Sequence, residues 1–483
     1  MQIPVIIRIL GLLLMVFSTT MLPPVLVDFI YLENAALPFL EAFVLILLVG
    51  LVLYLPFRNH RKDLRLRDGF MVVVMFWVVL GGAGGLPLYL SGAFELSITD
   101  AVFESISGLT TTGATVIVGL DALPHSILFY RQELQWLGGM GIIVLAVAVL
   151  PMLGIGGMQL YRAETPGPVK DSKLTPRITE TAKALWYIYL GLTVSCGVAY
   201  WLAGMDAFDA ISHAFSTVAI GGFSTHDASM GFFNNRGIEL IAIVFMLLSG
   251  VNFALHFTSL RYLRLTPYLK DAEFKAYMTV MLVVSIITIG YLFLTKTFDS
   301  PLDNIIEGLF HVVSIGTTTG FTTSEYYTWP GFLPVLLLYV SFIGGCAGST
   351  GGGIKVIRIL LLVKQGVREL HRLVHPSAQF AVKIGRKPVP DKVIEAVWGF
   401  FAAYFAISAL MIVLLMASGL NQDTAFSAVA ACLNNLGPGL DQVGENFASI
   451  NDFAKWVLCL AMLLGRLEIF TLLVLFTPGF WRK

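Results

Sequence analysis

The run Ile315-Gly316-Thr317-Thr318-Thr319-Gly320-Phe321 has the residue types to hold a bare cation without any charged side chain. Glycine accepts backbone angles that other residues resist, so such a run can turn successive carbonyl oxygens the same way. A row of carbonyls can replace the hydration shell of an alkali ion, which is the chemistry of a selectivity filter. One Thr/Gly run would fit an ordinary loop equally well. Repetition decides between the two.

The run has three counterparts. Counting back thirteen positions from Gly320 reaches Glu307; the same step carries Gly113 to Asp100, Gly222 to Asp209, and Gly437 to Thr424, one residue after Asp423. The stretches 100–109, 209–218, 307–314 and 424–433 are mostly apolar and about three helical turns long. That is too short to cross a bilayer and suits re-entrant half-helices. Each runs into a glycine, giving as candidate ion-binding residues Thr111, Thr112 and Gly113; Ile220, Gly221 and Gly222; Thr318, Thr319 and Gly320; and Asn435, Leu436 and Gly437.

The elements that position these runs are membrane spans. The chain has 483 residues, 57% hydrophobic and 13% charged, with a mean hydropathy of +0.80. A soluble domain carries roughly 25% charged residues, so a polytopic, all-α integral membrane protein is indicated. Four cysteines in apolar or Gly-rich surroundings, without CxxC pairing, suggest small packing residues rather than disulfides or a zinc site. The first apolar run lacks a convincing cleavage site at Leu22-Pro23-Pro24 and reads as a retained helix.

Spans near 3–22 and 37–57, joined through Asp28 and Glu33, form an N-terminal hairpin closed by the basic loop Arg58-Asn59-His60-Arg61-Lys62. Four units of one design follow: span, half-helix, filter run, span. The expected divisions are 1–69 for the hairpin and its loop, then pore repeats over 70–182, 183–273, 274–390 and 391–483, around one central pore. Basic residues crowd the junctions between units: Arg162, Lys170, Lys173 and Arg177; Arg261, Arg264, Lys270 and Lys275; and Lys355, Arg358, Lys364, Arg368, Arg372, Lys383, Arg386 and Lys387. The half-helix side is acidic, with only Arg131, Arg236, Lys296 and Lys455 basic. By the positive-inside rule, both termini and the junctions face the cytoplasm and the filter mouths face outward. Asp100, Asp209, Glu307 and Asp423 are expected to cap half-helix N-termini, and together to form a negative ring that concentrates cations.

Two features lie beneath the filter. The second span of unit three, expected over 331–363, is interrupted at positions 341–353 by six glycines. Each costs a helix about 1 kcal/mol relative to alanine, so this span should break into a loop at membrane depth. Broken backbone there is tolerated only when buried or lining water. Gly345, Gly348, Gly351, Gly352 and Gly353 are thus candidate gate residues, with close helix packing the alternative. Gly353-Ile354-Lys355 lacks the ending of a nucleotide-binding P-loop. Arg466 is placed within a span, facing the cavity as a barrier to cations or forming a structural salt bridge; Glu468, two residues on, is poorly placed to pair with it. Gly138-Gly139-Met140-Gly141 and Ser249-Gly250-Val251-Asn252 read as close-packing sites within the second spans of units one and two. His213 and His311, nine residues before their filter glycines, correspond to Glu104 in unit one and read as filter support rather than metal ligands.

Taken together, these motifs resemble the Trk/Ktr/HKT superfamily of potassium transporters, and within it the TrkH/TrkG-type membrane subunits of bacterial Trk uptake systems. The resemblance covers all four units and the hairpin. It implies that Gly113, Gly222, Gly320 and Gly437 form the filter, that the Gly-rich segment is an intramembrane loop obstructing the pore, and that an arginine stands near it at the place of Arg466. It also implies potassium as the ion held, a homodimer in the bacterial inner membrane, and a cytoplasmic ring of TrkA-type nucleotide-binding subunits as partner. No nucleotide site is visible in this chain, and no nucleic-acid partner is suggested. The copies differ from a potassium channel's filter and from one another, unit four reading Asn-Leu-Gly-Pro-Gly, so fewer ion sites and weaker discrimination are expected.

Two mechanisms suit this fold: a gated potassium channel, and a proton- or sodium-coupled symporter. Coupling needs titratable groups within the membrane; apart from Arg466, Glu468 and Glu41 the spans offer few, which favours the channel. A membrane enzyme would need paired carboxylates, an activated nucleophile or a metal cluster at one depth. None is visible, so no catalytic residue is assigned.

Overall fold

The computed structural model describes residues 1–60, 64–92, 96–141, 178–385 and 387–482. Arg61, Lys62, Glu95, Arg162, Lys170, Lys173, Arg177, Arg386 and Lys483, and the first repeat's second span beyond Gly141, lie outside the described residues. The chain is built from helices; the only strands among the described residues are Lys383–Ile384 and Lys387–Pro388, paired antiparallel. Among the described residues, six helices are long and apolar enough to cross a membrane, or eight if two bent pairs each count as one.

The hairpin packs through absent side chains. Its first arm, Ile3–Tyr31, runs longer than expected and contains Asp28; its second is Leu37–Phe57. A Cβ on Gly11 would lie 2.7 Å from the carbonyl oxygen of Gly50, and one on Gly50 would lie 2.8 Å from that of Gly11. Two glycines facing each other let the backbones touch, the small-residue mode of packing used where hydrophobic burial no longer drives association.

Each repeat then follows one order. First spans are Arg67–Leu90, Lys183–Leu202, Ala272–Thr295 and Asp391–Ala417. The pore helices Ile98–Leu109, Ala207–Ala219, Pro301–Gly316 and Gln422–Leu433 have 12, 13, 16 and 12 residues. The expected caps shift by one turn. Ser97, Asp206 and Asn421 accept the N–H groups of Asp100, Asp209 and Thr424, so Asp100 and Asp209 sit inside the first turn. The third pore helix starts with Pro301, six residues before Glu307; proline fits there because its missing N–H would be unpaired anyway.

Second spans differ from expectation more strongly. Those of repeats two and four are not continuous: Arg236–Ser249 meets Phe253–Tyr262 at 95°, and Asp452–Arg466 meets Phe470–Phe476 at 108°. The third consists of Leu333–Ile343 and Val356–Val374, with the Gly-rich segment between them. The break in repeat two falls on Gly250-Val251-Asn252, where Asn252 caps the following helix through Ala254 N–H. That stretch therefore breaks a helix as well as permitting close packing. In repeat four the break leaves Glu468 and Ile469 at φ 51° and 60°. The four cysteines are buried and unpaired.

Substituting Gly50 with valine should overpack the hairpin and cost about 1–3 kcal/mol. It should lower the thermal unfolding midpoint of the purified protein, while Gly82→Ala, where a Cβ meets nothing within 4 Å, should not.

Candidate functional site

All four filter runs share one backbone pattern. Thr111, Ile220, Thr318 and Asn435 have φ of 57°, 55°, 70° and 53°, and the glycines two residues later have φ of 82°, 79°, 84° and 98°. A side chain in this left-handed region costs roughly 1–2 kcal/mol, so the four non-glycine residues are held by their surroundings. Thr112, Gly221, Thr319 and Leu436 donate their N–H groups to Ser107, Ser216, Ser314 and Ala431 carbonyls at 2.8, 2.9, 2.7 and 2.8 Å. The donors of each run are thereby turned back onto the C-terminal end of its pore helix. In repeats one and three the threonine hydroxyls reinforce the turn, Thr110 against Thr112 at 2.7 Å and Thr317 against Thr319 at 2.8 Å.

The runs then close on one another. A Cβ on Gly113 would lie 2.1 Å from Gly221 O, one on Gly222 1.9 Å from Thr319 O, one on Gly320 2.1 Å from Leu436 O, and one on Gly437 2.7 Å from Thr112 O. Each glycine backs onto the carbonyl just before the next repeat's glycine, and the fourth returns to the first. This closed ring brings all twelve candidate residues together. It also explains glycine at all four positions, since any side chain would strike a neighbouring carbonyl. The four pore helices end at this ring, so their negative ends converge there.

Polar side chains brace the strand that leaves each filter. Glu104, fully buried, accepts the Val116 N–H at 2.9 Å and the Thr115 hydroxyl. His213 bonds Ser224 Oγ at 2.9 Å, His311 lies 3.2 Å from Ser324 O, and Ser427 accepts the Leu440 N–H at 3.0 Å. His311 thus meets the backbone of the strand leaving its filter, and His213 meets a side chain of that strand in repeat two. Glu307 accepts the Thr323 and Ser324 hydroxyls at 2.7 and 2.8 Å.

The helix His125–Gly139 supplies residues that the repeat spacing does not reveal. Arg131, 1% exposed, donates to Glu104 at 2.8 Å, to Ser224 O at 3.0 Å and to Thr115 Oγ1 at 3.1 Å. It ties the exit strands of repeats one and two together. Gln132 accepts the Ser216 hydroxyl. Gln135 donates to Gly221 O at 2.6 Å and accepts the Phe223 N–H at 3.0 Å. The signal that could have found them is the polar cluster Arg131-Gln132-Glu133 with Gln135 at the head of an apolar span.

Beneath the ring runs the Gly-rich segment. Gly345, Gly351 and Gly352 are buried, Gly353 half-buried and Gly348 exposed. Its first leg hooks on the break in repeat two, where Cys346 N–H donates to Gly250 O at 2.8 Å and Phe253 N–H to Gly348 O at 3.0 Å. Thr350 Oγ1 donates to Val218 O at 3.0 Å. On the return leg, Gly352 N–H donates to Thr318 Oγ1 at 2.7 Å and Gly353 N–H to Asn434 O at 2.9 Å. A Cβ on Gly352 would lie 2.0 Å from Asn434 O. Glu273 steadies the base of both legs, accepting the N–H groups of Ala347 and Ile357 at 2.7 and 3.1 Å.

Arg466 completes the fourfold contact. Its guanidinium donates to Thr350 O at 3.2 Å, to Thr111 Oγ1 at 3.1 Å and to Gly138 O. The loop thus engages repeats two, three and four directly and reaches repeat one through Arg466. Glu468 pairs instead with Arg358. Of the span acids, Glu41 is exposed. The count of acids in the spans misses Glu133, 7% exposed with Oε2 lacking a hydrogen bond among the described residues.

Two of the four acids of the expected ring, Asp100 and Asp209, meet a basic side chain, as does the neighbouring Asp303. Asp100 meets Lys455 at 2.6 Å, Asp303 meets Arg236 at 2.5 Å and Asp209 meets His226 at 3.1 Å. His226 also meets Asp121 through its other nitrogen and stacks on Phe232. Burial lowers the pKa of His226, but hydrogen bonds to Asp209 and Asp121 outweigh it and raise the value above that of an ordinary imidazole. The same contact lowers Asp121 despite its partial burial.

A raised folded-state pKa means this bridge contributes fully below the ordinary imidazole pKa and is lost as pH climbs through the raised one. As pH rises from the ordinary imidazole range upward, the unfolding midpoint should therefore fall by more in the wild type than in His226→Gln. Equal pH profiles would discount the bridge. Arg131→Met should strand buried Glu104 and destabilise by about 3–5 kcal/mol, seen as a large drop in the unfolding midpoint.

Known proteins place this geometry in a family. A family model described as TrkH, cation transport protein, matches residues 37–483. The Trk system potassium uptake protein TrkH of Vibrio parahaemolyticus is 59% identical over 485 residues, covering 100% of both chains. That of Escherichia coli strain K12 is 56% identical over 476 residues, covering 99% of each. The crystal structure of the potassium transporter TrkH from Vibrio parahaemolyticus matches with a TM-score of 0.91 at 56% identity, covering 100% of both chains. With a family match over most of its length and relatives this similar end to end, the chain belongs to the TrkH family of cation transport proteins.

Proposed function

We propose that this chain is a potassium-uptake pore of the bacterial inner membrane, formed by four repeats of one polypeptide and gated by its intramembrane loop. The observation that carries the reading is the closed ring, in which each filter glycine abuts the preceding carbonyl of the next repeat. Four sets of carbonyls around one axis are what a dehydrated potassium ion requires. The relatives named above as potassium uptake proteins support the same ion.

In this reading, Thr111, Thr112 and Gly113, Ile220, Gly221 and Gly222, Thr318, Thr319 and Gly320, and Asn435, Leu436 and Gly437 hold the ion. Potassium is cargo rather than a resident cofactor. Gly345, Gly348, Gly351, Gly352, Gly353 and Arg466 form the barrier below. Opening requires the loop to give up its bonds to Val218 O, Thr318 Oγ1 and Asn434 O, together with the Arg466 bridge. The residue divisions are those anticipated from the sequence, with both termini cytoplasmic and the filter mouths periplasmic. The chain works as a homodimer, and a cytoplasmic TrkA-type subunit carries the nucleotide that drives the loop; the name "Trk system" borne by its relatives fits such an assembly. Proton coupling is a second reading, favoured by Glu133, a buried acid whose Oε2 lacks a hydrogen bond among the described residues.

The test is rubidium flux into liposomes holding the purified protein, with and without a proton gradient. Flux down the cation gradient alone, rising several-fold on deletion of residues 348–353 or in Arg466→Ala, is the outcome for a gated channel. Dependence on the proton gradient, abolished in Glu133→Gln, selects the symporter. Gly222→Ala should lower flux by about tenfold or more in either case, because a left-handed Cβ costs roughly 1–2 kcal/mol before its contact with Thr319 O is counted.

A further inference from the structure

Repeat two breaks the filter pattern in a way that one side chain accounts for. Where repeats one and three read Thr-Thr-Thr-Gly, it reads Ala219-Ile220-Gly221-Gly222. The extra glycine, Gly221, has no backbone need, since it is not among the residues with positive φ. Its missing side chain is replaced from elsewhere: a Cβ on Gly221 would lie 2.4 Å from Gln135 Cδ and Oε1. Gln135, fully buried, occupies the space that Thr112, Thr319 and Leu436 fill with their own side chains.

From that place the Gln135 amide grips the filter at two points. Its Nε2 donates to Gly221 O at 2.6 Å, and its Oε1 accepts the Phe223 N–H at 3.0 Å. Gly221 O is the ring carbonyl that abuts Gly113. Among the described residues, no other side chain donates to the equivalent carbonyls of Thr112, Thr319 or Leu436. Asn435, the nearest parallel, donates to the Thr112 hydroxyl and to Met462 O instead.

We infer that Gln135 is a specificity-determining positioning residue of the filter, setting the position and field of the Gly221 carbonyl and so the preference for potassium over sodium. The inference rests on the potassium reading of the ring. An amide donor on a carbonyl oxygen withdraws part of its negative charge, and a weaker-field ligand favours the larger, less strongly hydrated ion. The two-point grip also keeps the strand from closing inward around a smaller one. Both effects act in the same direction, and both disappear if Gln135 cannot donate.

The experiment compares wild type with Gln135→Met, which fills the space without donating, and with Gln135→Glu, which keeps the acceptor for Phe223 N–H. A third protein, Gln135→Ala/Gly221→Thr, rebuilds the arrangement of repeats one and three. Two readouts are taken: the potassium-to-sodium permeability ratio in liposomes, and the ratio of potassium to sodium concentrations that half-maximally raise the unfolding temperature. In Gln135→Met and Gln135→Glu both ratios should fall several-fold while rubidium still permeates. A merely structural glutamine would change the unfolding temperature and the flux amplitude but leave both ratios alone. Should those two variants fail to fold, the paired variant decides, since it fills the gap and its ratios should still fall. Unchanged ratios in every variant that folds would overturn the inference alone. A wild type with neither potassium flux nor potassium-dependent stabilisation would overturn the reading of the ring, and the inference with it.

Discussion

Four backbone segments can close around one axis only if nothing protrudes where they touch. In this chain the contact falls on Gly113, Gly222, Gly320 and Gly437, each with its α-carbon against the carbonyl before the next repeat's glycine. Most of the surrounding architecture serves that contact. The pore helices bring their C-terminal ends to the ring, and their last carbonyls take up the filter N–H groups. Second-span glycines let those helices approach: a Cβ on Gly138 would lie 1.8 Å from Leu109 O, and one on Gly465 would lie 2.1 Å from Leu433 O.

The ring is fourfold in its backbone and not in its supports. Exit strands are held by Glu104 and Arg131 in repeat one, by His213 in repeat two, by Glu307 and His311 in repeat three, and by Ser427 in repeat four. A buried arginine–glutamate pair contributes modest net stability, because the desolvation of both charges offsets most of their attraction. Its value here is geometric, since the pair fixes the distance between two exit strands. Unequal supports permit unequal carbonyl positions around the ring.

Below the ring, loop and filter share their hydrogen-bonding partners. Thr318 belongs to a filter run and accepts from Gly352; Asn434, at the end of the fourth pore helix, accepts from Gly353. Arg466 touches Thr111 on one side and Thr350 on the other. Moving the loop therefore removes bonds from the filter's underside, so loop position and filter shape are physically linked. Arg358 extends this link: it bonds Ile354 O at the end of the loop and pairs with Glu468 beside the break that carries Arg466. The helix Val356–Val374 thus begins at a point joined both to the Gly-rich segment and to the break that carries Arg466.

Local chemistry made much of this legible without coordinates. The thirteen-residue interval, the four glycines and the half-helix lengths follow from periodicity within each repeat, and six glycines in one apolar stretch cannot remain a helix. Arg466 stood out because a charge inside a span needs a reason. Tertiary structure decided what crosses repeat boundaries. Gln135 lies 86 residues from Gly221, and Arg466 lies 355 from Thr111, separations over which no spacing rule operates. The bends in repeats two and four were hidden because one glycine, or none, marks each, and their partners are supplied from elsewhere. The cap positions move for the same reason: Asp100 and Asp209 sit in the first turn rather than at the N-cap, and their partners Lys455 and His226 come from other segments. Sequence determined which segments form and where each filter run must turn; only packing could determine where the second spans bend and which side chain stands behind which carbonyl.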